Sequence, residues 1–164
     1  MKKKIKVLSL MLALSLAPKL VEAKEKVHIY HVCTKQDSRQ DVLACAMYAE
    51  GRGEGVKGMS LIGNTIINRT NSDKFPDEIK GVVFQKKQFS YTSQGVVRVK
   101  EKKSWKKAQS LAKSLIYLED NFPEIRSLHD PSKNATMFHK RGVKVYWSKM
   151  FTQTVVYKQH IFYR

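Results

Sequence analysis

The most informative part of the chain reads Val42-Leu43-Ala44-Cys45-Ala46-Met47-Tyr48-Ala49-Glu50-Gly51-Arg52-Gly53-Glu54. Just before it, Ser38-Arg39-Gln40-Asp41 has the pattern of a capping box at a helix N-terminus. The apolar run that follows predicts a buried helix, and Gly51 and Gly53 indicate where that helix ends. We therefore expect Glu50 to lie in the last turn of a buried helix.

Glu50 closes a run that is otherwise apolar. A carboxylate on apolar surface is costly to ionise, so its pKa rises and the group stays protonated near neutral pH. A protonated carboxyl group can donate a proton to a leaving oxygen, which is the first requirement for cleaving a glycosidic bond. Glu50 is therefore the candidate general acid.

The rest of the chain predicts helices first and strands last. Apolar residues at helical spacing predict three further helices, at 56–70, 79–84 and 105–118. Residues 85–99 have no clear period and are interpreted as a loop. Beyond Pro123, segments rich in β-branched and aromatic residues predict the strands of an antiparallel sheet, at 135–139, 143–147, 152–157 and 160–163. This order is typical of an α+β domain.

Residues 1–23 have the pattern of a secretory signal peptide. A basic start precedes an apolar segment at 7–17, and Val21-Glu22-Ala23 offers small residues at the two positions that a signal peptidase reads. The alternative is an uncleaved membrane anchor, but the apolar segment is short for a membrane-spanning helix and Lys19 follows it. We expect the segment to be cleaved. The protein would then have no stable membrane anchor and would be secreted to the periplasm or cell wall.

Removal of this segment leaves a basic chain of one domain. The segment carries five lysines and one glutamate, so the remaining 141 of 164 residues carry +13 of the formal +17 net charge. They divide into an N-terminal arm at 24–40 and a single domain at 41–164. Such a charge indicates an anionic partner, with a solvated lysine-rich surface as the alternative. Five lysines share the outer face of the helix predicted at 105–118 or directly precede it: Lys102, Lys103, Lys106, Lys107 and Lys113.

Cys33 and Cys45 are the only cysteines of the chain. In an exported protein an even number of cysteines indicates a disulfide, which here would tie the arm to the helix of Glu50. The alternatives are two free thiols, or a metal ion held by His28, His31 and Cys33. We expect the disulfide and no bound metal.

Residues 48–54 resemble the Tyr-x-Glu-Ala-Arg-Gly-Glu signature of the spore-cortex-lytic cell wall hydrolases of the SleB type. The resemblance continues in the family's order through Asn68-Arg69, Phe75-Pro76, Gly81-Val82-Val83-Phe84-Gln85, Gln88-Phe89-Ser90-Tyr91, Ala135-Thr136-Met137-Phe138-His139 and His160-Ile161-Phe162-Tyr163-Arg164. The chain departs from the family at four positions, where Gly51 replaces an alanine, Lys80 a frequent cysteine, Tyr91 a tryptophan and Met137 a common histidine. None of these departures changes the glutamate.

The resemblance implies a lysozyme-like fold in which N-terminal helices carry the catalytic glutamate and a small antiparallel sheet follows. It also implies cleavage of peptidoglycan between MurNAc and GlcNAc by lytic transglycosylation, without a cofactor. One carboxyl group protonates the glycosidic oxygen. It then takes the proton from the muramoyl 6-hydroxyl as that oxygen closes on the anomeric carbon, so no carboxylate nucleophile is needed. Glu50 is the residue expected to play both parts, within a catalytic domain at 41–164.

Other residues have expected roles around Glu50. Glu54 lies one helical turn further on if the helix persists, and we expect it to pair with Arg52, Arg69 or another cation, with a second catalytic carboxylate as the alternative. Asn68 is expected to support the glutamate helix through hydrogen bonds. The expected substrate-binding residues, for which packing is the alternative, are Gln88, Ser90, Tyr91, His139, His160 and Tyr163.

Competing functions stay open at this point. A zinc peptidase or amidase would use ligands at a spacing such as His-Glu-x-x-His, which the sequence lacks, and a cysteine peptidase would need a thiolate where Cys45 lies in an apolar run. A muramidase, a glucosaminidase, or a non-enzymatic basic protein that binds cell wall or nucleic acid are further alternatives. We expect a monomer that binds peptidoglycan glycan strands and anionic cell wall polymers, with no specific nucleic acid.

Overall fold

The computed structural model describes residues 27–93 and 97–164. Its helices are α1 (Arg39–Gly51), α2 (Gly55–Thr70), α3 (Ile79–Phe84), α4 (Ser90–Ser93), α5 (Lys102–Asn121) and α6 (Pro123–Leu128). Its strands are β1 (His31–Val32), β2 (Arg98–Val99), β3 (Met137–Lys140), β4 (Gln153–Tyr157) and β5 (His160–Tyr163). The predicted signal peptide lies outside the described residues. Within them, no helix combines the length and the apolar character that crossing a membrane requires.

Helix α1 is the centre of the helical part. The Ser38 hydroxyl accepts a hydrogen bond from the backbone N–H of Asp41 at 3.1 Å and donates one to its carboxylate at 2.9 Å, which satisfies the first turn as a capping box does. Residues 42–48 are all buried, because α1 packs against both α2 and α5. At its far end, the Tyr48 hydroxyl accepts the backbone N–H groups of Lys100 and Glu101, each at 3.2 Å, and so fixes the start of α5.

Gly51 allows α1 and α2 to approach closely. A Cβ atom at this position would lie 2.9 Å from the backbone N and Cα of Met59, closer than real Cβ contacts. The residues between the two helices, Arg52–Glu54, form a turn of 3-10 helix. Glycine, where the family has alanine, therefore leaves room for the backbone of α2 to pack against the end of α1.

The C-terminal part is a three-stranded antiparallel sheet in the order β3-β5-β4. Phe138 on β3 pairs with Phe162 on β5, and Phe162 is fully buried in the main hydrophobic core with the helices. A second, two-stranded sheet joins β1 to β2, with His31 opposite Val99. The predicted α+β order is confirmed.

Two local predictions were wrong. Residues 143–147 form no strand, and Tyr146–Lys149 is instead a turn of 3-10 helix. Tyr146 is 87% exposed, so its aromatic ring, which favoured a strand in the sequence analysis, does not pack on a sheet. Pro123 begins α6, a short helix that the sequence analysis did not predict, since proline suits the first position of a helix. The segment interpreted as a loop contains α4 and β2.

Cys33 and Cys45 form a disulfide that ties the arm to α1. His31 lies beside it, hydrogen-bonded through Nε2 to the Asp37 carboxylate at 3.0 Å and stacked on Trp105. The ligand atoms of His31, Cys33 and Cys45 lie within 4.8 Å of one another. Because each sulfur is bonded to the other, this group offers no thiolate to a metal ion in the disulfide form.

Candidate active site

Glu50 lies in the last turn of α1, where two clefts meet. The first has a volume of about 640 Å³ and several aromatic side chains in its lining, and we call it the aromatic cleft. Its lining residues are Glu50, Arg69, Lys87, Gln88, Phe89, Ser90, Met137, Phe138, His139, Lys140, Val143, Val145 and Trp147. The second, called the cationic cleft, has a volume of about 690 Å³ and is lined by Glu50, Gly53, Glu54, Lys140, Arg141, Lys158, Gln159 and His160. Glu50 and Lys140 line both, so the two clefts adjoin at these residues.

The surroundings of Glu50 favour its protonated form. Burial raises the pKa of the half-buried Glu50 carboxyl above its ordinary value, although the positive charges of His160 and Arg52 oppose this rise. Burial also raises the pKa of Tyr91, and the negative charge of Glu50 raises it further. Within the described residues, the buried Tyr91 hydroxyl has no hydrogen-bond partner. Tyr91 thus contributes a neutral hydroxyl group close enough to Glu50 to sense its charge.

Glu54 has a different environment. It is 6% exposed, and its Oε1 accepts the backbone N–H of Gln159 at 3.1 Å and lies 2.7 Å from Nδ1 of His160. A Cβ atom at Gly58 would lie 2.3 Å from the Glu54 Cβ, so glycine leaves room for this buried carboxyl. Glu54 therefore fastens the β4–β5 turn to the junction of α1 and α2, and its carboxyl group contacts His160 rather than Arg52 or Arg69.

His160 borders the cationic cleft but is itself 8% exposed. Its ring lies between the Glu54 carboxylate and the ring of Phe138, whose centroid is 5.5 Å away. The structure thus places His160 mainly as a partner of Glu54 rather than as an open contact for a ligand.

Asn68 holds the loop that leads into β3. Its side-chain amide donates to the Asp130 carboxylate at 2.7 Å, the Ser132 hydroxyl at 3.2 Å and the Ala135 carbonyl at 2.9 Å. Its oxygen accepts a hydrogen bond from Arg126 at 3.0 Å. These bonds run to α6 and to the loop, and not to α1 as the sequence had led us to expect.

Two of the predicted binding residues form an aromatic group with Trp147. His139 Nε2 lies 3.0 Å from the Tyr163 hydroxyl, and the two rings stack with their centroids 5.4 Å apart. The Trp147 ring meets each of them edge-on at 5.5 Å. His139 and Trp147 line the aromatic cleft together with Gln88 and Ser90, whereas Tyr163 is buried behind His139. The sequence analysis missed Trp147, because it assigned 143–147 to a strand.

Arg69 has surroundings that the sequence analysis did not predict. Its guanidinium group lies over the rings of Phe75, Phe89 and Phe138, at 5.1, 5.7 and 5.9 Å, and Nε donates to the Thr136 carbonyl at 2.6 Å. Burial lowers its pKa to about 10, so it remains charged at neutral pH. The Asn68-Arg69 pair gave a signal for this position, but the sequence analysis considered Arg69 only as a partner of Glu54.

Helices that carry a half-buried carboxylic acid, packed beside a small antiparallel sheet, make this an α+β domain. Residues 53–163 match the family model described as Cell Wall Hydrolase, and the chain belongs to this family. The match begins just after Glu50, so the role of Glu50 depends on the geometry described above.

Curated relatives match a shorter segment. The spore cortex-lytic enzyme of Oceanobacillus iheyensis is 37% identical over 62 residues, which is 37% of this chain and 22% of that protein. The spore cortex-lytic enzyme of Bacillus subtilis is 39% identical over 56 residues, which is 34% of this chain and 18% of that protein. The chain therefore spans about a fifth of the length of these relatives.

Solved structures share the fold. The catalytic domain of the germination-specific lytic transglycosylase SleB from Bacillus anthracis superposes with a TM-score of 0.58 at 24% identity, covering 80% of this chain and 100% of that domain. The catalytic domain of the Bacillus cereus SleB protein gives the same TM-score and identity, covering 77% of this chain and 91% of that domain. The predicted fold class and the predicted family are thus confirmed.

Proposed function

We propose that this protein cleaves the glycan strand of peptidoglycan between MurNAc and GlcNAc, with Glu50 as both acid and base. The observation that carries the proposal is the position of Glu50, a carboxylic acid of raised pKa where two clefts meet. A strand that occupied both clefts would pass the Glu50 carboxyl group. Membership of the Cell Wall Hydrolase family and the relatives named as spore cortex-lytic enzymes support peptidoglycan as the substrate class.

The carboxylates beside the clefts favour lytic transglycosylation over hydrolysis. Among the described residues that line the two clefts, Glu50 and Glu54 are the carboxylates, and Glu54 is buried against His160. A retaining hydrolase needs its second carboxyl group ~5–5.5 Å away across the bond, and an inverting one needs ~6.5–9.5 Å with room for a water molecule. A glutamate held by a histidine and a backbone N–H is poorly suited to either part.

Glu50 would then act twice on one strand. In the first step it donates its proton to the glycosidic oxygen, and the bond to the anomeric carbon breaks. In the second step the Glu50 carboxylate accepts the proton of the muramoyl 6-hydroxyl while that oxygen bonds to the anomeric carbon, which returns Glu50 to its acid form. We propose that Tyr91, whose hydroxyl has no hydrogen-bond partner among the described residues, donates a hydrogen bond to the carboxylate that forms between the steps. We place this reaction in the periplasm or cell wall, after export.

The products distinguish this reaction from its alternatives. We expect residues 24–164 to release 1,6-anhydromuropeptides from peptidoglycan, equally in the presence and absence of a chelator. Mass spectrometry of the digest checks this, because hydrolysis adds a water that the anhydro product lacks. Reducing ends alone would indicate a muramidase or glucosaminidase, free peptides would indicate an amidase, and loss of activity with chelator would indicate a metal enzyme.

Anionic cell wall polymers are the second proposed partner. The five lysines of the outer face of α5 are all exposed: Lys102, Lys103, Lys106, Lys107 and Lys113. We expect binding to cell walls to weaken as salt rises, because salt screens attraction between exposed charges. Changing these lysines to glutamine should lower binding, while the free energy of unfolding changes little. Cosedimentation with purified walls at low and high salt is the measurement.

A matched control keeps the net charge equal. A variant with five other exposed lysines changed to glutamine carries the same net charge: Lys35, Lys57, Lys74, Lys133 and Lys149. If only the total charge matters, the two variants will bind equally. Equal binding of the wild-type protein at both salt concentrations would contradict an electrostatic contribution altogether.

A further inference from the structure

Three exposed cations line the cationic cleft. Lys140 ends β3, Arg141 follows it, and Lys158 lies in the turn between β4 and β5. We call these residues the cationic rim. Within 27–93 and 97–164, none of the three forms an ion pair with a carboxylate. Three arginines elsewhere do pair with a carboxylate, namely Arg39, Arg52 and Arg126.

The backbone and hydrogen bonds hold the rim in place. Lys158 has a φ of 43°, in the left-handed region that glycine or asparagine usually occupies in a two-residue hairpin turn. Its ammonium group donates to the Glu54 carbonyl at 2.9 Å, and its own carbonyl accepts from the Arg141 guanidinium at 3.3 Å. The Arg141 backbone N–H donates to the Gln159 carbonyl at 2.7 Å. These hydrogen bonds join Lys158 and Arg141 to backbone carbonyls and leave their positive charges without a carboxylate partner in the described part of the chain.

The cleft itself does not balance these charges. The Glu54 carboxylate is already engaged with His160 and the Gln159 backbone, and burial holds Glu50 toward its neutral acid form. Three positive charges therefore face an open cleft of about 690 Å³ directly beside the proposed acid. Clefts lined by one sign of charge concentrate ligands of the opposite sign.

We infer that the cationic rim binds an anionic substituent of the glycan strand next to the bond that is cleaved. This inference rests on the proposed function. It predicts that the protein prefers a glycan strand with acidic substituents to a neutral glycan without them. Two sources supply such a group in the cell wall, the free carboxylates of the peptide stems and phosphate-linked wall polymers. The rim is thus a specificity determinant, separate from the acid that breaks the bond.

The test compares one peptidoglycan preparation in three forms at low ionic strength. The forms are the untreated wall, the wall freed of phosphate-linked polymers by acid, and the acid-treated wall with its carboxylates amidated. We expect the wild-type protein to cleave the acid-treated form about tenfold faster than the amidated form. The triple variant Lys140→Gln, Arg141→Gln, Lys158→Gly should bring this ratio close to one, since each exposed ion pair contributes about two- to threefold.

Two single variants serve as controls. Lys133 is also an exposed lysine with a φ of 58°, and it lines neither cleft, so Lys133→Gly removes the same charge and the same strain elsewhere. It should keep the wild-type ratio, as should Lys158→Arg, which retains the charge. A ratio below the wild-type value in Lys158→Gly, but not in Lys133→Gly, would assign the effect to the rim.

The outcomes separate the inference from the function on which it rests. If the wild-type protein prefers the untreated wall over the acid-treated one and the rim variant loses that preference, the anion is a phosphate and the inference stands. Equal wild-type rates on all three forms, or a preference that the triple variant retains, would overturn the inference and leave glycan cleavage intact. If the wild-type protein cleaves no glycan in any form, the proposed function fails, and the inference fails with it.

Discussion

Replacing Glu50 by glutamine is expected to lower the rate of glycan cleavage by about 10²- to 10⁴-fold, the usual contribution of general acid–base catalysis. Glutamine has nearly the same shape as glutamate but no acidic proton, so the variant should fold and bind the cell wall as the wild-type protein does. Clearing of a peptidoglycan suspension by the two purified proteins measures the difference. A variant rate within threefold of wild type would show that Glu50 is not the acid.

The pH profile gives an independent check on the same residue. Burial raises the pKa of Glu50, so the proton that starts the reaction is retained to a higher pH than on an exposed glutamate. Wild-type activity should therefore fall as pH rises through this raised pKa. Glu124→Gln, which changes an exposed glutamate on α6, is the control and should leave both the rate and the profile unchanged.

The parts of the fold that were predicted well from the sequence depend on residues that are close together along the chain. The Ser38–Asp41 capping box and the apolar run after it lie next to each other in the chain, so the start and end of α1 follow from local pattern. The apolar period of α2 is likewise local and long, and it ends at Thr70 in the structure, as its pattern predicts. Glu50 is placed by the same pattern, since it closes the apolar run.

The contacts that complete the site join distant parts of the chain. Glu54 and His160 are 106 residues apart, and nothing in the spacing of either residue indicates the other. Arg69 meets the rings of Phe75, Phe89 and Phe138, which come from three separate segments. Asn68 was assigned to the wrong neighbour for the same reason. Its position on α2 was evident, but the direction of its side chain depends on how α6 and the loop before β3 pack against it.

Replacing Asp130, in the loop before β3, by alanine is expected to lower the free energy of unfolding by about 3–4 kcal/mol. Asp130 is 7% exposed, and its carboxylate accepts from the amide of Asn68 at 2.7 Å, the backbone N–H of Ser132 at 2.7 Å, the hydroxyl of Ser132 at 2.8 Å and the backbone N–H of Asn134 at 2.9 Å. Alanine would remove the acceptor of the Ser132 hydroxyl and of the backbone N–H groups of Ser132 and Asn134, whereas the Asn68 amide keeps the Ala135 carbonyl. Buried donors without partners are costly. Urea unfolding followed by circular dichroism is the measurement.

A matched pair of variants ties this loss to the buried network rather than to the loss of an acid. Asp73→Ala removes an exposed aspartate after α2 and should change the free energy of unfolding by no more than about 0.5 kcal/mol. Asp130→Asn keeps one acceptor oxygen and should fall between the wild-type protein and Asp130→Ala. The loop leads directly into β3, which carries His139 and Lys140 to the clefts, so its attachment to Asn68 positions one wall of the site. If Asp130→Ala proved as stable as Asp73→Ala, the prediction would be wrong. The position of β3 beside the clefts would then depend on the sheet and the hydrophobic core alone.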